Sequence, residues 1–417
     1  MAKSSAPEPV YAKNLRLLGQ SDQDGRPDGN QLMVHKGYAY VGHMYSQGVS
    51  VIDVRDPREP KTVRFLPAPR HTWNIHLQTH GDLMLVVNAR DMKALPAFSD
   101  DKSYYKGKAG NFNPSEGQER TWTAGMGVWD ISKPAEPRQI GFMPVNGGGL
   151  HRIWYDGGPW AYASALIDGF TDYIMITIDV SDPTQPREVG RYWLPGMNRA
   201  AGEVPDWPQE FGRYGLHHPI VHGDIAYCSW RDGCLVVVDV ADRAHPKLLA
   251  HKWWSPPYGG GTHNALPLPD RDLLVVVDEA VLDHQEDGDK PIWLFDVRLP
   301  SNPVSISTFP APTDAPYKTH GGHFGPHNIH ENRKGSFVSD TLIFATYQNA
   351  GLRVFDIRDK YAPVEVAALV PPAPKKMMTA NWTGDPVIQM CDVFATKEGL
   401  VFTTDHHAGF CAMEYLG

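Results

Sequence analysis

Between Thr319 and Asn332 the chain reads THGGHFGPHNIHEN, which sets His320, His323, His327 and His330 within fourteen positions. Imidazole is a standard nitrogen ligand for divalent transition metals and the usual proton carrier near neutral pH, so this density points to a metal or catalytic site. The alternative is a polar loop whose histidines bond only to one another and to water. Four other stretches have a similar make-up: TWNIHL (Asn74, His76), GLHRIW (His151, Arg152), GLHHPI (His217, His218) and GTHNAL (His263, Asn264). GNQLMV (Asn30, Gln31) and MCDVF (Cys391, Asp392) repeat the pattern with amides, a thiol and a carboxylate in place of imidazole.

Three or four neutral imidazoles with room left for water make an open coordination site for Fe, Mn, Zn or Cu. The carboxylate-rich ligand set that suits calcium is missing from these positions. The expected ligands of a divalent transition metal are His76, His151, His217, His263 and His330. His327 is the substitute for His330, and His218 for His217, because a slip of one residue along a strand sends a side chain to the other face. Arg152 is the expected partner for an anionic oxygen, with Glu331 or Asp392 moving a proton. His218, His327, Trp73, Trp154 and Asn264 are the expected substrate-facing residues.

Residues so distant in sequence converge only if a repeating architecture brings them together. A repeat is present: GVSVIDVRDPREPKTVRFLP, GVWDISKPAEPRQIGFMP, MITIDVSDPTQPREVGRYWLP, CLVVVDVADRAHPKLLAHKW, IWLFDVRLPSNPVSISTFP and GLRVFDIRDKYAPVEVAALVP. Each copy begins with a β-branched, apolar run ending in Asp, which predicts a strand. A D-x-x-x-P turn follows in most copies, in which Asp56, Asp182, Asp242 and Asp359 accept backbone N–H bonds and Pro opens an exposed strand. With the strand pair upstream, as in VHGDIAYCSWRDG, each unit is about four short strands in 40–50 residues, the length of a propeller blade.

The pattern xxVDVSDPxxPxxVG resembles the LVIVD-repeat family over most of the chain, and the resemblance implies a β-propeller. The expected fold is all-β, a single seven-bladed propeller with blades at about 29–70, 71–145, 150–195, 216–257, 262–312, 323–372 and 387–417. Residues 13–20, around AKNLRLLGQ, supply the strand that the last blade lacks and close the ring. In such a ring the residues at the start of each innermost strand lie at one height about the axis, which is where the histidines fall. The polar stretches 91–121 and 196–214 read as long loops that cover or build a site.

A net charge of −9, from 39 Lys and Arg against 48 Asp and Glu, argues against nucleic acid or an anionic membrane and for a small-molecule partner. The opening MAKSSAPEPVYAKN has no apolar signal segment, and no apolar run approaches the roughly 20 residues of a membrane span, so a cytoplasmic location is expected. Four cysteines in 417 residues are expected to be reduced. The leading expectation is a metal-dependent hydrolase or lyase acting on a small organic molecule, aromatic or carboxylate-bearing. An iron or copper oxygenase would use the same ligands, and a non-catalytic interaction scaffold would use the ring as packing.

Overall fold

A computed structural model describes residues 6–98, 100–105, 112–207, 212–379 and 382–417. The fold is all-β. Among the described residues there are five antiparallel sheets of four strands and one of nine. The nine-stranded sheet is two groups of strands joined by the single pairing of Gly149 with Ala89.

The repeat accounts for the sheets. Its apolar runs form the strands Gly48–Asp53, Gly125–Asp130, Ile174–Asp179, Leu235–Asp239, Ile292–Asp296 and Leu352–Asp356. These strands are buried on both faces because the neighbouring sheets pack against each, and each ends where its Asp turns the chain. Asp179 Oδ1 accepts from Ser181 N at 2.9 Å and Asp239 Oδ1 from Ala241 N at 2.8 Å. The next Asp then repeats the turn: Asp56, Asp182, Asp242 and Asp359 accept from Arg58, Thr184, Ala244 and Tyr361 N at 2.9–3.0 Å. The glycine of the PREVG segment also has a steric reason. A Cβ on Gly190 would lie 2.2 Å from the carbonyl oxygen of Arg243, in the corresponding turn of the next sheet.

The two ends of the chain share a sheet: Leu15–Ser21 pairs antiparallel with Gly409–Tyr415, from Leu15 opposite Tyr415 to Ser21 opposite Phe410. A second pairing was not legible in the sequence. Tyr11–Lys13 adds to the preceding sheet along Val364–Val370. Asn14, between the two, adopts a left-handed φ of 51° that asparagine tolerates, and its Nδ2 donates to Val366 O at 2.8 Å. The N-terminal segment thus ties two successive sheets together.

There is no single core. Apolar side chains fill the spaces between neighbouring sheets, as where Leu32, Val41 and Val51 meet Leu77, Val86, Phe402 and Phe410. The four cysteines are buried and free. No helix among the described residues is long and apolar enough to cross a membrane.

Both long loops gather on one face. The first forms a 3-10 turn, Pro96–Phe98, and a short helix, Asp101–Tyr105. Arg213 of the second is buried, bonds to both oxygens of Asp172 at 2.8 and 3.0 Å, and lies 3.2 Å over the Phe112 ring of the first.

Candidate metal centre

The ladder breaks on the innermost strands as well as where the outermost strands join. Register shifts occur between Gly29 and Gln31, Leu150 and Ile153, Thr262 and Asn264, and Met390 and Asp392. A bulge leaves a residue unpaired and re-aims its side chain. The residues skipped are Asn30, His151 with Arg152, His263 and Cys391, so the bulges fall on the polar dipeptides singled out above. The innermost segment at 327–330 is held to Leu342–Thr346 by fewer bonds, with His327 N donating to Thr346 O at 3.0 Å and His330 N to Phe344 O at 2.9 Å.

Neighbouring residues of these segments serve two different levels of the axis. The upper level holds His151, His217, His263 and His327, all buried, with Glu279 beside them. One ligand atom each from His217, His263 and Glu279 lies within 4.8 Å of the others. His151 Nε2 is 3.0 Å from His217 Nε2, and the His263 ring is 3.7 Å from that of His217 and 4.4 Å from that of His327.

The outer nitrogens fix the tautomers. His217 Nδ1 donates to the His263 carbonyl at 2.9 Å, His327 Nδ1 to the Cys391 carbonyl at 2.6 Å, and His263 Nδ1 to Asn264 Oδ1 at 2.7 Å. Each Nε2 is then left with its lone pair, the second-sphere arrangement typical of metal-binding histidine. Burial first, and then neighbouring cationic groups, holds His151 and His217 well below the ordinary imidazole pKa; burial likewise dominates for His263, against the pull of Glu279. Burial opposes ionisation of Glu279, but His263, His327 and Arg231 outweigh it and keep the carboxyl well below its usual range.

This donor set fits a divalent transition ion. Two nitrogens about 2.0–2.1 Å from one ion are roughly 2.9 Å apart at a right angle and 3.3 Å apart at the tetrahedral angle, and the His151–His217 separation of 3.0 Å falls between these. His327 Nε2 faces Glu279 Oε1 at 3.2 Å. With Nδ1 already protonated, a neutral His327 would turn a lone pair toward a carboxylate oxygen, and the contact needs a cation or a further proton to be favourable. Arg152 Nη2, 3.3 Å from His263 Nε2, and Arg231 Nη1, 3.3 Å from Glu279 Oε2, bring positive charge from either side.

The lower level lies beyond Arg152, which lines both spaces. Here His218 Nε2 donates to Glu331 Oε1 at 2.7 Å, and Arg333 binds Glu331 Oε2 through Nε and Nη2 at 3.0 and 2.8 Å. Burial pushes the Asp392 carboxyl up to about 7 although Leu32 N donates to it at 2.9 Å. His76 Nδ1 accepts from Ile153 N at 3.2 Å. His330 spends both nitrogens on the backbone, Nδ1 accepting from Ala395 N at 3.2 Å and Nε2 donating to Phe337 O at 2.8 Å.

Of the expected ligands, the structure brings His151, His217 and His263 together with His327, and sets His76 and His330 at the other level. Glu331 and Asp392 are also at that level, separated from the upper histidines by Arg152. Asn264 orients His263. Trp73 lines the upper space, and Trp154 packs in the lower region under Arg333, 4.2 Å from its ring. Glu279, Arg231 and Tyr105 were not read as site residues. Glu279 carried a signal, since VVVDEA ends a buried strand with two acids; Tyr105 arrives from the first long loop and had none.

A second constellation has the look of a catalytic triad. His43 Nε2 is 2.8 Å from Ser50 Oγ and its Nδ1 is 3.3 Å from Asp28 Oδ1. All three residues are completely buried, and Asp28 also accepts from Tyr45 N, Ser46 N and Ser46 Oγ. It is a structural network with no room for substrate.

The LVIVD repeat model matches residues 169–193 and 220–251. The chain carries LVIVD repeats. Outside the LVIVD match, no curated protein matches it by sequence. In structure it is similar to the Cps50 (Swd1) β-propeller domain of Myceliophteria thermophila, at 11% identity and a TM-score of 0.52, over 94% of this chain and 98% of that one. It is also similar to a "putative 6-phosphogluconolactonase" from Bacteroides uniformis, at 11% identity and a TM-score of 0.54, over 82% of this chain and 85% of that one. At these identities the likeness concerns the fold, that of a β-propeller.

Proposed function

We propose that this chain is a seven-bladed propeller, the nine-stranded sheet counting as two blades, and that it is a metal-dependent enzyme acting on a small organic molecule at the upper end of its axis. The observation that carries this reading is the convergence of His217, His263 and Glu279 within 4.8 Å, with His151 3.0 Å from His217. His217, His263 and Glu279 would hold the ion, with His151 and His327 beside them, and the ion would supply Lewis-acid polarisation of a substrate oxygen or an acidified water.

The chain's own residues do the rest. Glu279, ionised and set between His263 and His327, balances the charge of the centre. Tyr105 and Met44 line the space above the histidines and help to exclude water from it. Arg152, 3.3 Å from His263, offers a guanidinium to an anionic oxygen and separates the centre from Glu331 and Asp392. Hydrolysis or elimination is the chemistry these groups favour. Iron or copper oxygenase chemistry would use the same nitrogen donors, and oxygen uptake by the loaded protein would identify it.

The test is elemental analysis of protein purified without a metal-affinity tag. About one equivalent of a single transition metal is expected, with His217→Ala and His263→Ala folded but metal-poor and the exposed-strand variant His222→Ala fully loaded. A wild-type protein that neither carries nor takes up a metal would leave the four histidines as packing and end the enzyme reading.

A further inference from the structure

Above the centre lies a cavity of about 750 Å³, within the range of small-molecule sites. It is continuous with the metal centre, since Met44, Tyr105, Glu279 and His406 line both spaces. Its walls divide by character. Leu95, Pro96, Phe98, Leu282, Met378 and Trp382 make an apolar and aromatic surface. The charged groups of the lining are mostly acidic: the buried Asp91, with Asp100, Asp101, Asp283 and Glu286.

The cations on this wall do not cancel those acids. Lys93 Nζ is 2.5 Å from Asp101, and His323 Nε2 is 3.2 Å from the same carboxylate and 3.6 Å from Asp283. Lys102 is exposed, and among the described residues no cation pairs with Asp100 or Glu286. A second, independent feature has the same polarity. Gln389, which lines the cavity, is buried, and its Oε1 accepts no hydrogen bond; the same is true of Thr379 Oγ1 on that wall. A buried acceptor without a donor is costly until something supplies one.

We infer that the substrate is an amine: an aromatic or alkyl body lies along the apolar wall with its reacting group at the metal centre, and an ammonium group is held by the carboxylates toward the mouth and by the acceptors of Gln389 and Thr379. A carboxylate-bearing substrate, expected from the sequence, would meet mostly like charge there. Trp382 and Tyr45 on the wall add the aromatic faces that favour a cation. This inference rests on the proposed reading only in placing the reacting end at the histidines.

Matched probes of one length test it: tyramine, the neutral alcohol tyrosol, and 4-hydroxyphenylacetate, titrated into the metal-loaded protein and followed by calorimetry. Tyramine is expected to bind about tenfold tighter than 4-hydroxyphenylacetate, with tyrosol between them and the spread narrowing as salt is raised. Asp283→Asn combined with Glu286→Gln, on exposed or half-exposed positions that leave the core untouched, should bring the ratio close to one. Equal or tighter binding of the carboxylate by the wild type, or a ratio that the double variant leaves unchanged, overturns the inference. Metal uptake measured on the same protein reports separately on the centre, so a protein that takes up no metal yet still prefers tyramine would sink the enzyme reading and keep the cavity as an amine-binding site.

Discussion

His217 and His218 are adjacent and of one residue type, yet they do different things. His217 turns an Nε2 lone pair to the axis beside His263, and His218 gives its Nε2 proton to Glu331 at the lower level. The same division separates His327 from His330. Consequently, His330→Ala should keep its metal and lose stability, by about 2–4 kcal/mol for two backbone bonds and a small cavity. Glu279→Gln should instead lower metal affinity by about 10–100-fold, with a stability loss of its own because the buried Arg231 loses its carboxylate partner. Parallel metal titrations and thermal melts of the two variants check this, and similar profiles for both would contradict the assignment of levels.

At the scale of elements, the first long loop is held over the centre by charge. Asp101, at the start of the helix Asp101–Tyr105, receives both Lys93 and His323. Burial lowers the His323 pKa, but Asp101, Asp283 and Asp287 outweigh it and raise the value above that of free imidazole. A raised folded pKa means that this tether is at full strength below the ordinary imidazole pKa and is lost as pH rises through the raised value. His407 also faces this histidine with its own ring, and Lys93 bonds the same Asp101 carboxylate. Hydrogen-exchange protection of residues 100–105 should therefore fall as pH rises above the ordinary imidazole range in the wild type, and should be lower and flatter in His323→Gln. Protection in the wild type that does not change with pH would remove His323 as the tether.

For the whole molecule, closure depends on the chain's first strands. Leu15, Leu17 and Leu18 are buried, and at about 1.5–3 kcal/mol each their loss in a chain of this length corresponds to a fall in Tm of roughly 5–10 °C. Deleting the chain through Ser21 removes both pairings, to Gly409–Tyr415 and to Val364–Val370, and exposes two sheet edges, so increased aggregation should accompany the lower Tm. An unchanged melt with a monodisperse product would show that the ring closes without them.

The sequence by itself determined the strands, their turns and the pairing of the chain's ends, because these depend on local chemistry repeated along the chain. An apolar run ending in Asp, an Asx turn and a following Pro dictate the same hairpin wherever they occur, and the LVIVD copies spell it repeatedly. It also marked the polar dipeptides that reach the axis. Tertiary structure alone decided which member of each dipeptide faces which level, because that depends on bulges such as those at His263 and at His151 with Arg152, and a bulge depends on how an inner strand meets its neighbour. It alone brought Glu279 and Tyr105 to the centre. One comes from a strand end and the other from a loop with no periodicity, and only closure of the ring sets both beside histidines from other sheets.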